Sequence, residues 1–209
     1  MPSKLRVAIL ISGRGSNMES LLRACAGQNP DCVIDRAEIA VVVSNIAEAK
    51  GLETAAKFGV KTEILSHKGF ANRRDYDAKM TELLRQYNIQ LVCLAGFMRI
   101  LSAEFCHEWA GRLINIHPSL LPEFKGLDTH KRAINAGVKQ HGCSVHFVTP
   151  GMDEGPIIVQ DSVPVMPDDT EQTLAARVLA AEHRCYPKVL KLYSENRIHL
   201  SGDTVKIID

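Results

Sequence analysis

The sequence predicts an α/β fold: a mostly parallel sheet with helices on both faces, extended by an antiparallel strand pair in the C-terminal half. Three observations carry this expectation. Strand and helix signals alternate through the first hundred residues, the order that right-handed β-α-β crossovers produce. The fourth strand signal, Leu91–Leu94, is apolar at every position, as a strand covered on both faces would be. Two late strand signals, Cys143–Val148 and Ile157–Val165, are joined by "TPGMDEGP" (Thr149–Pro156), which has the composition of a turn. Together these describe a Rossmann-like sheet with an added strand pair.

Each element has its own local warrant. Leu5–Ile11 is an apolar strand, and Ser16–Ala26 a helix with Met18, Leu21, Leu22 and Cys25 on one face. Ile39–Val43 is the second strand. An Ala-rich helix, Ala47–Phe58, is ended by Gly59. Val60–Leu65 is the third strand, Ala71–Tyr87 a long helix, and Ala103–Trp109 a short one. Leu113–His117 reads as a strand and is stopped by the prolines of "LINIHPSLLP". A loop rich in Pro, Gly and charge leads to a short helix over Thr129–Asn135. The last helix spans Thr170–Glu195 and is expected to kink or break near Pro187. The tail suggests a hairpin around Ser201-Gly202-Asp203. With no repeat, linker or low-complexity segment, residues 1–209 are expected to form one domain, long enough for a sizeable core.

Composition narrows the function. Twenty-five basic against 24 acidic residues leave a net charge of +1, so no electrostatic footprint for a nucleic acid exists. Six cysteines lack any C-x-x-C pair, which argues against a disulfide framework and for a reducing cytoplasm. The apolar run Val7–Ile11 is too short for a signal-peptide core or a membrane span. A cytoplasmic location with neither nucleic-acid nor membrane partner is the expectation.

Two stretches carry chemistry. "ISGRGSNMESLL" (Ile11–Leu22) is a strand, two glycines, capping residues and a helix, and unpaired N–H groups at a helix start favour an anion. Met18 stands where a dinucleotide fingerprint needs its third glycine, and no G-K-[ST] follows for a Walker loop. What remains is room for one phosphate against Gly15, Ser16 and Asn17. Taken alone, the loop is equally a tight turn with Ser16 or Asn17 as N-cap and nothing bound. A helix terminus contributes ~0.3–1 kcal/mol to an anion, against about 8 kcal/mol for micromolar binding. Any phosphate there must belong to a larger ligand. In the second stretch, strand alternation puts Leu113, Asn115 and His117 on one face and Ile114 and Ile116 on the other. An amide and an imidazole thus share one face at a strand end.

With these motifs in hand, the chain resembles the folate-dependent phosphoribosylglycinamide formyltransferases of purine biosynthesis. The resemblance rests on "SGRGSN" (Ser12–Asn17), "LAGFMRIL" (Leu94–Leu101), "GRLINIHPSLLP" (Gly111–Pro122), "HGCSVHFV" (His141–Val148), "MDEGPIIVQ" (Met152–Gln160) and "AEHRCYP" (Ala181–Pro187), in the family's order over nearly the whole chain. The N-x-H-P-S-L-L-P strand end with a downstream D-x-G-P is shared with methionyl-tRNA formyltransferase and formyltetrahydrofolate hydrolase. It therefore fixes formyl transfer better than the acceptor. Those relatives are expected to carry a further C-terminal or N-terminal domain, for which this chain leaves no space.

The resemblance implies a reaction and a site. The formyl group of 10-formyltetrahydrofolate, the cosubstrate, would pass to the amine of 5′-phosphoribosylglycinamide (GAR), with no metal. Asn115 and protonated His117 would stabilise the oxyanion of the tetrahedral intermediate. Asp153 would keep the imidazole charged if its turn folds back to the strand end, 36 residues away. Gly15, Ser16 and Asn17 would hold the GAR phosphate and Glu182 its ribose hydroxyls. Met98, Arg99, Ile100 and Leu101 would line the pterin pocket together with Asn115 and Asp153, and Arg73 would face the anionic folate tail. Arg14 could add a cation beside the phosphate, and Asp128 stands where some relatives have His. A monomer or weak homodimer is expected.

Other readings are weaker. Without the resemblance, Asp153 is a turn acid, Glu182 a surface helix acid and Arg73 a solvated charge. A serine hydrolase built on Ser119 lacks the G-x-S-x-G elbow. His117, His130, His141 and His146 lack zincin spacing, and His141 and His146 read as structural. A folate-site hydrolase and a catalytically silent phosphate-ligand module are the remaining alternatives.

Overall fold

The computed structural model describes residues 3–208. Seven strands form one sheet: β1 (Leu5–Ile11), β2 (Ala37–Ser44), β3 (Lys61–Ile64), β4 (Leu91–Leu94), β5 (Leu113–His117), β6 (Gln140–Phe147) and β7 (Ile157–Pro164). Their spatial order is β3-β2-β1-β4-β5-β6-β7. β1 to β5 run parallel, and β6 and β7 join antiparallel. The expected sheet and its added strand pair are both present. The tail folds as a separate hairpin of β8 (Ile198–Ser201) and β9 (Thr204–Ile207).

Alternation along the strands makes two cores. Val7, Ile9 and Ile11 of β1 pack on one face with α1 (Ser16–Cys25), α2 (Lys50–Lys57) and α6 (Glu171–Ser194). Ala8 and Leu10 pack on the other with α3 (Arg73–Gln86) and α4 (Ala103–Glu108). Ile114 and Ile116 of β5 belong to the first core, whereas Leu113 faces the second. Asn115 and His117 share the Leu113 side by period-2 alternation. The remaining helix, α5 (Thr129–Asn135), follows the loop after β5.

Two expectations change. α2 starts at Lys50 rather than Ala47, because Ser44 Oγ closes a local turn by bonding both the N–H and the carbonyl of Ile46. α6 runs unbroken through Pro187. Proline removes one intrahelical hydrogen bond, but the neighbouring Tyr186 is fully buried and donates its hydroxyl to the carbonyls of Leu94 (3.0 Å) and Ile114 (3.3 Å). Tertiary packing holds the helix where local preference would end it. Among the described residues no helix is long and apolar enough to cross a membrane.

Candidate active site

Ligands of open α/β sheets settle outside the carboxyl ends of the strands, where the strand order reverses. Here the reversal falls between β1 and β4, and Gly15–Asn17 follow β1, Met98–Leu101 follow β4, and Asn115 and His117 close β5.

The glycine loop leaves β1. Gly15 is the N-cap of α1 at φ 73°, and no side chain caps the helix. The expected cap from Ser16 or Asn17 is thus not formed. Asn17 instead turns its amide to Glu182 on α6, Nδ2 to Oε2 at 2.9 Å. Two residues 165 positions apart, expected at opposite ends of one nucleotide, meet directly. Glu182 is buried, which pushes its carboxyl upward, and the Asn17 bond opposes that shift. A second glycine supports the loop. A Cβ on Gly51, at the start of α2, would lie 2.5 Å from Ile11 Cδ1 and 3.1 Å from the Gly13 carbonyl. The Gly51 N–H donates to that same carbonyl at 3.0 Å.

At the end of β5 the ladder places Asn115 opposite His146 and His117 opposite Ser144. His117 Nε2 lies 3.1 Å from the Phe124 carbonyl, which can only accept, so this nitrogen carries a proton. His117 Nδ1 lies 3.4 Å from Asp153 Oδ2. Asp153 adopts φ 51° in the turn between β6 and β7, and its Oδ2 accepts the Gly126 N–H at 2.9 Å. The sequence-predicted trio Asn115, His117 and Asp153 therefore converges.

His146 lies beside it, buried and hydrogen-bonded at both ring nitrogens. Its Nδ1–H donates to the Phe147 carbonyl (2.8 Å), leaving Nε2 to accept from Asn115 Nδ2 at 3.3 Å. Burial pushes this imidazole down, in keeping with a neutral acceptor. His146 Nε2 also lies 3.7 Å from Asp153 Oδ1. Only the β5–β6 register reveals this contact, and the sequence does not specify that register.

A cavity of about 140 Å³ opens at Asn115 and Asp153, lined also by Arg99, Ile100, Leu101, His146 and residues 149–152. Met98 is exposed and lies outside the wall, as does Arg73, the first residue of α3. His117 is buried beneath the Phe124 carbonyl. His130 and His141 lie with ring centroids 5.4 Å apart, and burial lowers both, His141 to about 4. No group of three or more His, Cys, Asp or Glu able to hold a metal occurs among the described residues.

Comparison with known proteins places this geometry. Residues 5–190 match the formyl transferase family model. The chain is 42% identical over 196 residues to the phosphoribosylglycinamide formyltransferase of Escherichia coli (strain K12), covering 94% of this chain and 90% of that protein. It is 47% identical over 201 residues to the trifunctional purine biosynthetic protein adenosine-3 of Drosophila pseudoobscura pseudoobscura, covering 96% of this chain but spanning 14% of that relative's length. The crystal structure of glycinamide ribonucleotide transformylase 1 from Symbiobacterium toebii superposes with a TM-score of 0.94 at 42% identity, over 100% of this chain and 96% of that one. By the family match and by similarity along nearly its whole length, the chain belongs to the formyl transferase family, among the phosphoribosylglycinamide formyltransferases.

Proposed function

We propose that the chain transfers the formyl group of 10-formyltetrahydrofolate to the amine of GAR, giving formyl-GAR and tetrahydrofolate. The observation that carries this reading is the convergence of Asn115 and Asp153 on one cavity, with His117 buried behind Asp153 at 3.4 Å. The amine attacks the formyl carbon and the carbonyl oxygen becomes an oxyanion. Collapse of the tetrahedral intermediate breaks the bond to N10 of the folate, while the proton lost by the amine is delivered to N10. Asn115 has a second amide hydrogen not used on His146, and His117 supplies a charged donor. Both are held by the sheet, the preorganisation that makes oxyanion stabilisation effective.

In this reading the Phe124 carbonyl occupies, at 3.1 Å from His117 Nε2, the place an oxyanion would take. Residues 123–128 must therefore withdraw for catalysis. The cavity is smaller than the ~300–1,000 Å³ of sites that enclose whole drug-sized ligands, so it suits the folate heterocycle rather than its tail. Arg73, outside the cavity wall, is assigned to the tail. On the opposite side, Gly15, Ser16 and Asn17 hold the GAR phosphate, and Glu182 accepts from the ribose hydroxyls.

The test is turnover of 10-formyltetrahydrofolate by purified protein with and without GAR. Turnover dependent on GAR, with formyl-GAR as product, is the expected result. Turnover without GAR makes the chain a hydrolase, and no turnover with either overturns the reading.

A further inference from the structure

The segment 97–102, which supplies Phe97, Arg99, Ile100 and Leu101 to the cavity wall, belongs to no regular element. It links β4 to α4, and of its backbone N–H groups those of Met98 and Ser102 find partners among the described residues. Both partners are side chains from elsewhere. Ser12 Oγ, from the first residue after β1, accepts the Met98 N–H at 2.8 Å and donates its own proton to the buried Asn45 Oδ1 at 2.6 Å. Asp77 Oδ2, from α3, accepts the Ser102 N–H at 2.6 Å. Between these two tethers, the N–H groups of Arg99, Ile100 and Leu101 are left unpaired beside the cavity.

The Asp77 tether is costly. Asp77 is 2% exposed, and its second oxygen, Oδ1, has no hydrogen-bond partner. Burial pushes its carboxyl upward, opposed first by the Ser102 bonds and then by the charges of Arg73 and Arg99. A half-satisfied buried carboxylate is a poor way to stabilise a fold, since apolar packing of similar volume does as well or better. What it does supply is a fixed acceptor at one end of a loop that has no ladder. The neighbouring Tyr76 adds a side-chain guide, with the Arg99 guanidinium 5.2 Å from its ring centroid.

We propose that Ser12 and Asp77 are positioning residues for the formyl donor: they pin both ends of residues 97–102 so that the unpaired backbone groups between them meet the flat heterocycle. Neither residue touches the reacting atoms. The inference rests on the formyl-transfer reading, because it assigns this wall to the folate.

Steady-state kinetics with both substrates varied, together with Tm, tests it. Ser12→Ala and Asp77→Ala should each raise KM for 10-formyltetrahydrofolate roughly tenfold, the scale of one hydrogen bond lost from a positioning acceptor, with KM for GAR within about threefold. Asp77→Asn keeps an oxygen for the Ser102 N–H and should recover most of that loss, which a role for the charge itself would not allow. If Asp77→Ala does not fold, Ser12→Ala and Asp77→Asn decide the matter. Equal rises in both KM values, or an unchanged folate KM in Ser12→Ala, overturn the proposal. A wild-type protein that fails to process 10-formyltetrahydrofolate refutes instead the reading beneath it.

Discussion

On the glycine-loop side of the site, backbone is packed against backbone: the Gly51 N–H meets the Gly13 carbonyl, and Gly15 lies 3.3 Å from Gly51 measured from where its Cβ would stand. On the cavity side, the lining residues Ile100 and Met152 are each 54% exposed. One side is a cradle of close backbone contacts. The other is an exposed apolar rim at a small cavity, beside a His117–Asp153 pair whose imidazole meets a loop carbonyl. The contrast follows from what each side is proposed to bind. A phosphate is recognised by fixed N–H groups, where tolerance for movement is small. A heterocycle is held largely by apolar area, which costs least to organise when the ligand itself completes the cover.

The strongest way to break this comparison is at the His117–Asp153 pair. His117→Ala is expected to lower kcat by roughly 10²–10³-fold, the range seen when one oxyanion donor is removed. Both ligands should still bind, because neither the cradle nor the rim depends on the imidazole. Near-normal kcat would place the oxyanion elsewhere. Asp153→Asn should cost less, about 10–100-fold, corresponding to the ~1.5–3 kcal/mol of a hydrogen bond to a charged group. Asparagine can still accept the Gly126 N–H, so loop position and charge are separated by this variant. Unchanged kcat with an unchanged Tm would remove the carboxylate from the mechanism.

Gly51→Ala probes the cradle. The added methyl carbon would stand 2.5 Å from Ile11 Cδ1 and 3.3 Å from the Arg14 carbonyl. Overpacking of this kind costs about 1–3 kcal/mol. A lower Tm with a raised KM for GAR and an unaltered folate KM is the expected pattern. If the folate KM rises equally, the two sides are not the separable constructions described above.

How much of this was legible beforehand depends on the distance over which each feature is set. The parallel strands and most helices follow from local apolar patterning, and Asn115 and His117 share a face because strand alternation makes them. Alternation is blind to which strand lies alongside, so it could not show that His146 is the ladder partner of Asn115. Asp77 is masked for the same reason: on α3 it is one acid among several charges, and only the docking of α4 brings Ser102 to it. Pro187 misled in the opposite direction, since a local rule predicted a break that burial of Tyr186 and its neighbours overrides. The convergence of Asp153 on His117 came from family resemblance, because nothing in the spacing of the two residues requires it.

Glu182→Gln is the finest probe of the cradle, since its expected stability effect is the smallest and its sign reports which of two opposing effects wins. Burial raises the Glu182 carboxyl above its ordinary value of 4.5. A carboxyl raised in the folded state binds its proton more tightly there than in the unfolded chain. Its favourable contribution is present below pH 4.5 and is lost as pH rises through the folded value. Above that value the ionised group is a burden that only the Asn17 bond relieves. The neutral amide should therefore raise Tm at pH 8 and make little difference at pH 4, while KM for GAR increases because the ribose loses its charged acceptor. Thermal denaturation at the two pH values measures the first effect and initial rates the second. A Tm lowered at pH 8 would mean that the Asn17–Glu182 bond outweighs the desolvation of the carboxylate, and that the charge is kept for the fold as well as for the nucleotide.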